Sequence, residues 1–135
     1  MSRRVSQTIR QEVRKRADGR CEYCRKPEIT ATRSFHVDHI IPEFHGGTSE
    51  LSNLAWACVP CNLNKNVNIA TYDEETMMLT ELYHPRTQHW DEHFQLAEGH
   101  VIGKTPIGRV TIRVLDINHL DQIEERQRLV KAGRW

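Results

Sequence analysis

Two C-x-x-C pairs, Cys21 with Cys24 and Cys58 with Cys61, do most to constrain what this chain can fold into. Each short loop presents two thiolates to one ion, and two such loops complete the tetrahedral four-ligand shell that zinc takes in structural sites. The 33 residues between Cys24 and Cys58 exceed the roughly 15–20 of a simple two-knuckle ribbon, so the inserted segment must carry structure of its own. A redox centre would need only one pair on a thioredoxin-like framework, and no such framework is visible. A shell of four thiolates leaves zinc no open position. The expected ion therefore stabilises the fold, and the histidines of the insertion are not needed as its ligands.

At 135 residues the chain is about one domain long. No apolar run approaches the ~20 residues needed to span a bilayer, and "MSRRVSQTIRQEVRKR" has no apolar signal region. We expect a soluble, cytoplasmic protein that makes no membrane contact, where disulfides are disfavoured and metal binding is the better use of the cysteines. The net charge of +1 hides an asymmetry, because Met1 to Lys26 holds nine Lys or Arg against three acids. A basic segment on an otherwise mildly acidic body suggests a polyanionic partner.

Within that basic segment, Ile9, Val13 and Ala17 recur every four residues, which predicts a helix from Gln7 to Ala17 with Ser6 as N-cap and Gly19 as its stop. Ser34 to Ile41, rich in Phe, Val and Ile, reads as a strand ended by Pro42. Gly46-Gly47 opens a loop, "LAWAC" returns as a second strand, and Pro60 starts a helix. Beyond Asn68 the signals weaken. "PIGRVTIRVLDI" fits both helical and alternating spacing; Thr105-Pro106 favours a helix, and a final helix follows, fraying after Gly133.

The inserted stretch "FHVDHIIPEFHGG" places Asp38 and His39 at the end of the first strand, and Asn62 begins the helix after the last cysteine. A carboxylate and an amide oxygen are hard ligands suited to Mg²⁺, which takes few protein ligands and completes its shell with water and substrate phosphate. A neutral imidazole beside such a site can accept a proton from water near pH 7. The set is equipped for metal-assisted phosphodiester hydrolysis. One geometric difficulty stands, since neighbours on a regular strand point to opposite faces. Asp38 and His39 can serve one phosphate only if the strand twists or ends there.

"CEYC", "HVDHIIP", the "GG" loop, "SNL" and "CVPCNLNK" together resemble the HNH endonuclease family, a zinc-knuckled branch of the ββα-metal nucleases, over roughly Cys21 to Asn66. "LYHPRTQHWDEHF" and "GKTPIGRVT" are similar to an extension of small stand-alone bacterial HNH proteins. The resemblance implies that His39 is the general base and that Asp38 ligates the catalytic metal, Mg²⁺ or Mn²⁺. Asn53 would pin the loop between the strands, and Asn62, where many relatives carry His, would be the second metal ligand. It further implies cleavage of DNA to 5′-phosphate and 3′-hydroxyl products.

Around this set, Asn62, Lys65 and Asn66 share a helical face, which would bring Lys65 to a phosphate. His36 either touches the phosphate, orients Asp38 or is a structural histidine, and His45 reads as a solvated loop residue. Arg10, Arg14, Lys15 and Arg20 are the expected contacts to the nucleic-acid backbone. His89 and His93 could clasp a metal if helical, but nothing nearby completes a shell; Arg109 and Arg113 read as a solvated helical face. The expected fold is α+β: a basic N-terminal helix over residues 1–20, a ββα-metal core with its four-cysteine zinc over 21–68, and a C-terminal α/β extension over 69–135 packed on the same domain. The alternative function is a zinc-stapled nucleic-acid-binding module without catalysis. A further rival is an interaction protein that uses its acidic half as a partner surface.

Overall fold

A computed structural model describes residues 5–135; Arg3 and Arg4 of the basic segment lie outside the described residues. Helix α1 (Gln7–Arg16) begins where the Ser6 hydroxyl accepts from the Ile9 amide, and its last turn carries Arg14, Lys15 and Arg16, which suit the negative helix end. Val13 is fully buried and the helix lies against the strand Leu54–Ala57. The basic residues help to hold it there. Arg10 donates to the Phe35 carbonyl at 2.8 Å and stacks 4.7 Å over the Trp56 ring, while Arg16 donates to the carbonyls of Leu51 and Leu54.

Strands β1 (His36–His39) and β2 (Leu54–Ala57) form an antiparallel hairpin in which Asp38 pairs with Ala55 and His39 with Leu54. The first strand is shorter than the expected Ser34–Ile41. Beyond His39 the Ile40 amide still reaches the Asn53 carbonyl, and then Pro42 and a 3-10 turn carry the chain away. All of β2 is buried, with Trp56 at its centre. Helix α2 (Val59–Lys65) follows, with Pro60 in its first turn, where no amide donor is needed. This is the ββα order read from the sequence.

The remaining chain is mixed. Hairpin β3 (Ala70–Tyr72) with β4 (Leu79–Glu81) leads to a single helical turn α3 (Trp90–His93), then to hairpin β5 (Phe94–Ala97) with β6 (His100–Gly103). Helices α4 (Pro106–Leu115) and α5 (Leu120–Lys131) close the chain. Thr105 caps α4 by accepting from the Gly108 amide, which resolves the ambiguous spacing in favour of the helix. Gly108 is required by a close approach, since a Cβ there would sit 2.1 Å from the His93 carbonyl oxygen.

Helix α4 packs on α2, β3, β4 and β6, so the extension is built against the ββα unit. Buried side chains from Val13 to Ile117 form one continuous core. Polar ties reinforce it: Trp90 Nε1 donates to the Tyr23 carbonyl at 2.9 Å, Asn64 donates to the Leu115 carbonyl, and Arg86 pairs with Glu22, which also accepts from the Trp56 amide. The first cysteine knuckle is thereby clamped between β2 and the extension.

Candidate functional site

The four cysteine sulfurs lie within 4.8 Å of one another and all four residues are buried. A zinc ion about 2.3 Å from each sulfur of a tetrahedron sets sulfur–sulfur distances near 3.8 Å; Cys24 and Cys58 Sγ are 3.7 Å apart. The residues present therefore fit zinc. Hydrogen bonding to Cys21, Cys24 and Cys58, together with burial, pushes the Cys61 thiol well above its ordinary value. Four thiolates at this spacing need a cation to coexist. Among the described residues it is the one grouping of three or more His, Cys, Asp or Glu side chains close enough to hold an ion.

Val37, Asp38 and His39 of β1, Pro42, Glu43 and Phe44 of the following turn, and Asn62, Leu63, Asn66 and Val67 around α2 line an open cleft of about 800 Å³. Asp38, His39 and Asn62 thus meet at one surface. Because β1 ends at His39, the alternation that would separate Asp38 from His39 does not keep either from the cleft.

Asp38 is the best-anchored member. Tyr23, fully buried between the knuckle cysteines, donates its hydroxyl to Asp38 Oδ2 at 2.6 Å. Lys65 Nζ lies 3.1 Å from the same oxygen and 3.3 Å from Oδ1, and donates also to the carbonyls of His39 and Ile40. Burial raises the Asp38 carboxyl above its ordinary value, and the Lys65 ammonium and the Tyr23 hydroxyl work against that rise. Burial and then the Asp38 charge push the Tyr23 phenol well up, so it stays a donor.

This arrangement corrects the expectation for Lys65. It is only 1% exposed and faces Asp38 from beneath instead of reaching a phosphate. Its side chain turns toward the end of β1, where four oxygens, two from Asp38 and the carbonyls of His39 and Ile40, converge on the ammonium.

His39 Nε2 lies 2.9 Å from Ser49 Oγ and 3.5 Å from Glu43 Oε1. Neither partner was singled out in the sequence. Glu43 falls four residues after His39 across Pro42, and Ser49 follows the glycine loop, so both depend on how that loop folds back. Tyr23 was likewise missed, because nothing in a C-x-x-C knuckle signals contact with a carboxylate on a distant strand.

Asn53 shapes the loop directly. Its Oδ1 accepts from the Ile41 amide at 2.9 Å, and its Nδ2 donates to the carbonyls of Ile41 and Thr48 at 2.9 and 2.7 Å. Gly47 lies under the same junction, where a Cβ would fall 1.6 Å from the Ile41 carbonyl oxygen. An asparagine and a side-chain-free residue together close the loop that carries Glu43 and Ser49.

The expected nucleic-acid contacts are more dispersed. Arg10 is spent on Phe35 and Trp56, Arg14 pairs with Glu28 at 2.8 Å, and Arg20 donates to the Arg25 carbonyl. Lys15 is exposed on α1. His36 is exposed and lies outside the cleft lining, and His45 Nε2 contacts the Val67 carbonyl at 2.8 Å. His89 precedes α3 and is exposed, while His93 Nδ1 bonds Thr105 Oγ1. Arg109 is bidentate to Asp73 and Arg113 reaches Thr71 and Tyr72, so both hold the β3–β4 turn onto α4.

No helix among the described residues is long and apolar enough to cross a membrane. No curated protein and no solved structure matches the chain. Residues 21–68, a little over a third of its length, match the family model described as HNH endonuclease. That match spans the four-cysteine ββα unit that carries Asp38, His39, Asn53 and Asn62, which is thus similar to an HNH endonuclease domain.

Proposed function

We propose that the protein is a metal-dependent endonuclease that hydrolyses DNA phosphodiester bonds to 5′-phosphate and 3′-hydroxyl products. The observation that carries this reading is the meeting of Asp38, His39 and Asn62 at one open cleft, within a domain whose family acts on nucleic acids. Asp38 and Asn62 supply a carboxylate and an amide oxygen, a sparse hard-donor set that suits Mg²⁺ or Mn²⁺ shared with substrate phosphate. When bound, such an ion would stabilise charge developing on the leaving 3′ oxygen. His39 takes the proton of the attacking water, with Glu43 and Ser49 setting the direction of its ring. Lys65 and Tyr23 fix the Asp38 carboxylate, so its position costs nothing to organise during reaction. Asn53 secures the loop beside His39.

A zinc ion held by Cys21, Cys24, Cys58 and Cys61 would have no part in the chemistry, because four thiolates would complete its shell. The competing reading keeps the fold and DNA binding without catalysis. Incubating the zinc-loaded protein with supercoiled plasmid and added Mg²⁺ or Mn²⁺, then testing the new ends for ligation, separates the two. Nicked, ligatable product that requires the added ion is expected. Salt-sensitive binding with no cleavage under any divalent ion supports the binding module.

A further inference from the structure

The walls of the cleft differ from its floor. Phe44 is 78% exposed, Leu63 68% and Val67 41%, and these three face the same opening as Asp38, His39 and Asn62. Among the described residues neither lysine nor arginine lines it, because Lys65 turns beneath Asp38. An apolar side chain as large as Phe is costly to leave in water without a role. Phe44 is also braced. The His45 ring meets it edge-on at 5.0 Å, and His45 Nε2 in turn contacts the Val67 carbonyl, tying the turn after β1 to the end of α2.

A paired duplex keeps its base faces stacked within, so it can offer phosphate to Asp38 and Asn62 but leaves the apolar walls of the cleft uncovered. An unstacked base has an open π-face that an aromatic ring can cover, and such stacking tolerates any base. We infer that this cleft takes DNA whose bases are unstacked beside the scissile phosphate, as at a gap, bulge or single-stranded junction, with Phe44 as the stacking platform and Leu63 and Val67 as the opposing wall. The inference rests on the nuclease reading for the word scissile, but the preference itself is a property of binding.

Two measurements keep these apart. In the first, the wild-type protein with Mg²⁺ cleaves a duplex carrying a short gap and a fully paired duplex of the same sequence. The gapped substrate is expected to react about tenfold faster, Phe44→Ala to abolish that ratio, and Phe44→Trp to keep it. In the second, the His39→Ala protein binds the same two DNAs with 2-aminopurine at the unstacked position, read by fluorescence without turnover. A preference of about tenfold for the gapped DNA, lost in His39→Ala/Phe44→Ala, upholds the inference even if no DNA is cleaved. Equal binding of both DNAs, or a preference that survives Phe44→Ala, overturns it. Phe44 is exposed, so its replacement leaves the core intact and a lost preference is not a folding defect.

Discussion

Lys65 Nζ sits 3.1 and 3.3 Å from the two carboxylate oxygens of Asp38, with 1% and 6% of the two side chains exposed. A buried ion pair is expensive to break from one side, because the remaining charge is left without a partner in low dielectric. Lys65→Met is expected to cost about 3 kcal/mol in urea unfolding. A lysine that only touched substrate phosphate would instead lose activity with no loss of stability.

Tyr23 links the zinc knuckle to the same carboxylate through its 2.6 Å hydrogen bond. Tyr23→Phe removes one donor and leaves the ring in place. It is expected to cost about 1–3 kcal/mol of stability while zinc content per chain stays unchanged. It also frees Asp38 to move, so half-maximal cleavage should require a different Mg²⁺ concentration. Metal analysis with a Mg²⁺ titration reads both; an unaltered titration would detach Tyr23 from the site.

Asn53 satisfies one backbone amide and two carbonyls of the loop after β1. Replacing it by Ala strands those groups, which is expected to cost about 2 kcal/mol and to speed amide exchange from Ile41 to Thr48. Gly47→Ala should produce the same local opening for a steric reason, since its Cβ has no room beside Ile41. Exchange mapped by mass spectrometry checks both.

The Cys21, Cys24, Cys58 and Cys61 quartet should hold about one zinc per chain, measurable by elemental analysis. Chelation at neutral pH is expected to unfold the ββα unit, with loss of near-ultraviolet signal from the fully buried Trp56. Retention of that signal after complete zinc removal would deny the ion its structural role.

Arg109 donates twice to Asp73 at 3.0 Å, and these hydrogen bonds, helped by Thr76, hold the Asp73 carboxyl well below its ordinary value of 3.8. A depressed carboxylate stabilises the fold above its unfolded pKa and loses that contribution as pH falls toward the folded one. The stability difference between wild type and Arg109→Leu should be full at neutral pH and shrink below about pH 4. Urea midpoints across that range test the sign; a gap that stays constant or widens in acid contradicts it.

The ββα unit was legible because its signals are local and redundant. The cysteine pairs, Pro42, the glycine loop and Pro60 each mark a boundary that the structure keeps close to its expected place. The two closing helices of the extension were legible as well, from Thr105-Pro106 and the last charged stretch, but its hairpins were not, because they are short and one turns through Glu98 and Gly99, both at positive φ, where glutamate gives no turn signal. In the site, residue type and spacing pointed to Asp38, His39 and Asn62. The partners that fix them could not be read, because Tyr23, Glu43, Ser49 and the inward turn of Lys65 depend on loop closure and on contacts 26 residues or more apart for Lys65 with His39. The structural use of Arg10 and Arg16 was hidden for a related reason, since their contacts with β2 depend on how α1 packs.

The most direct test of the proposed chemistry compares wild-type and His39→Ala proteins, matched for zinc content and unfolding midpoint, in the plasmid-nicking assay with Mg²⁺ or Mn²⁺. The expected result is ion-dependent nicking by the wild type and a loss of about 100-fold or more in the variant. Nicking that continues undiminished in His39→Ala would contradict the assignment of His39 as the base and, with it, of this cleft as the catalytic site.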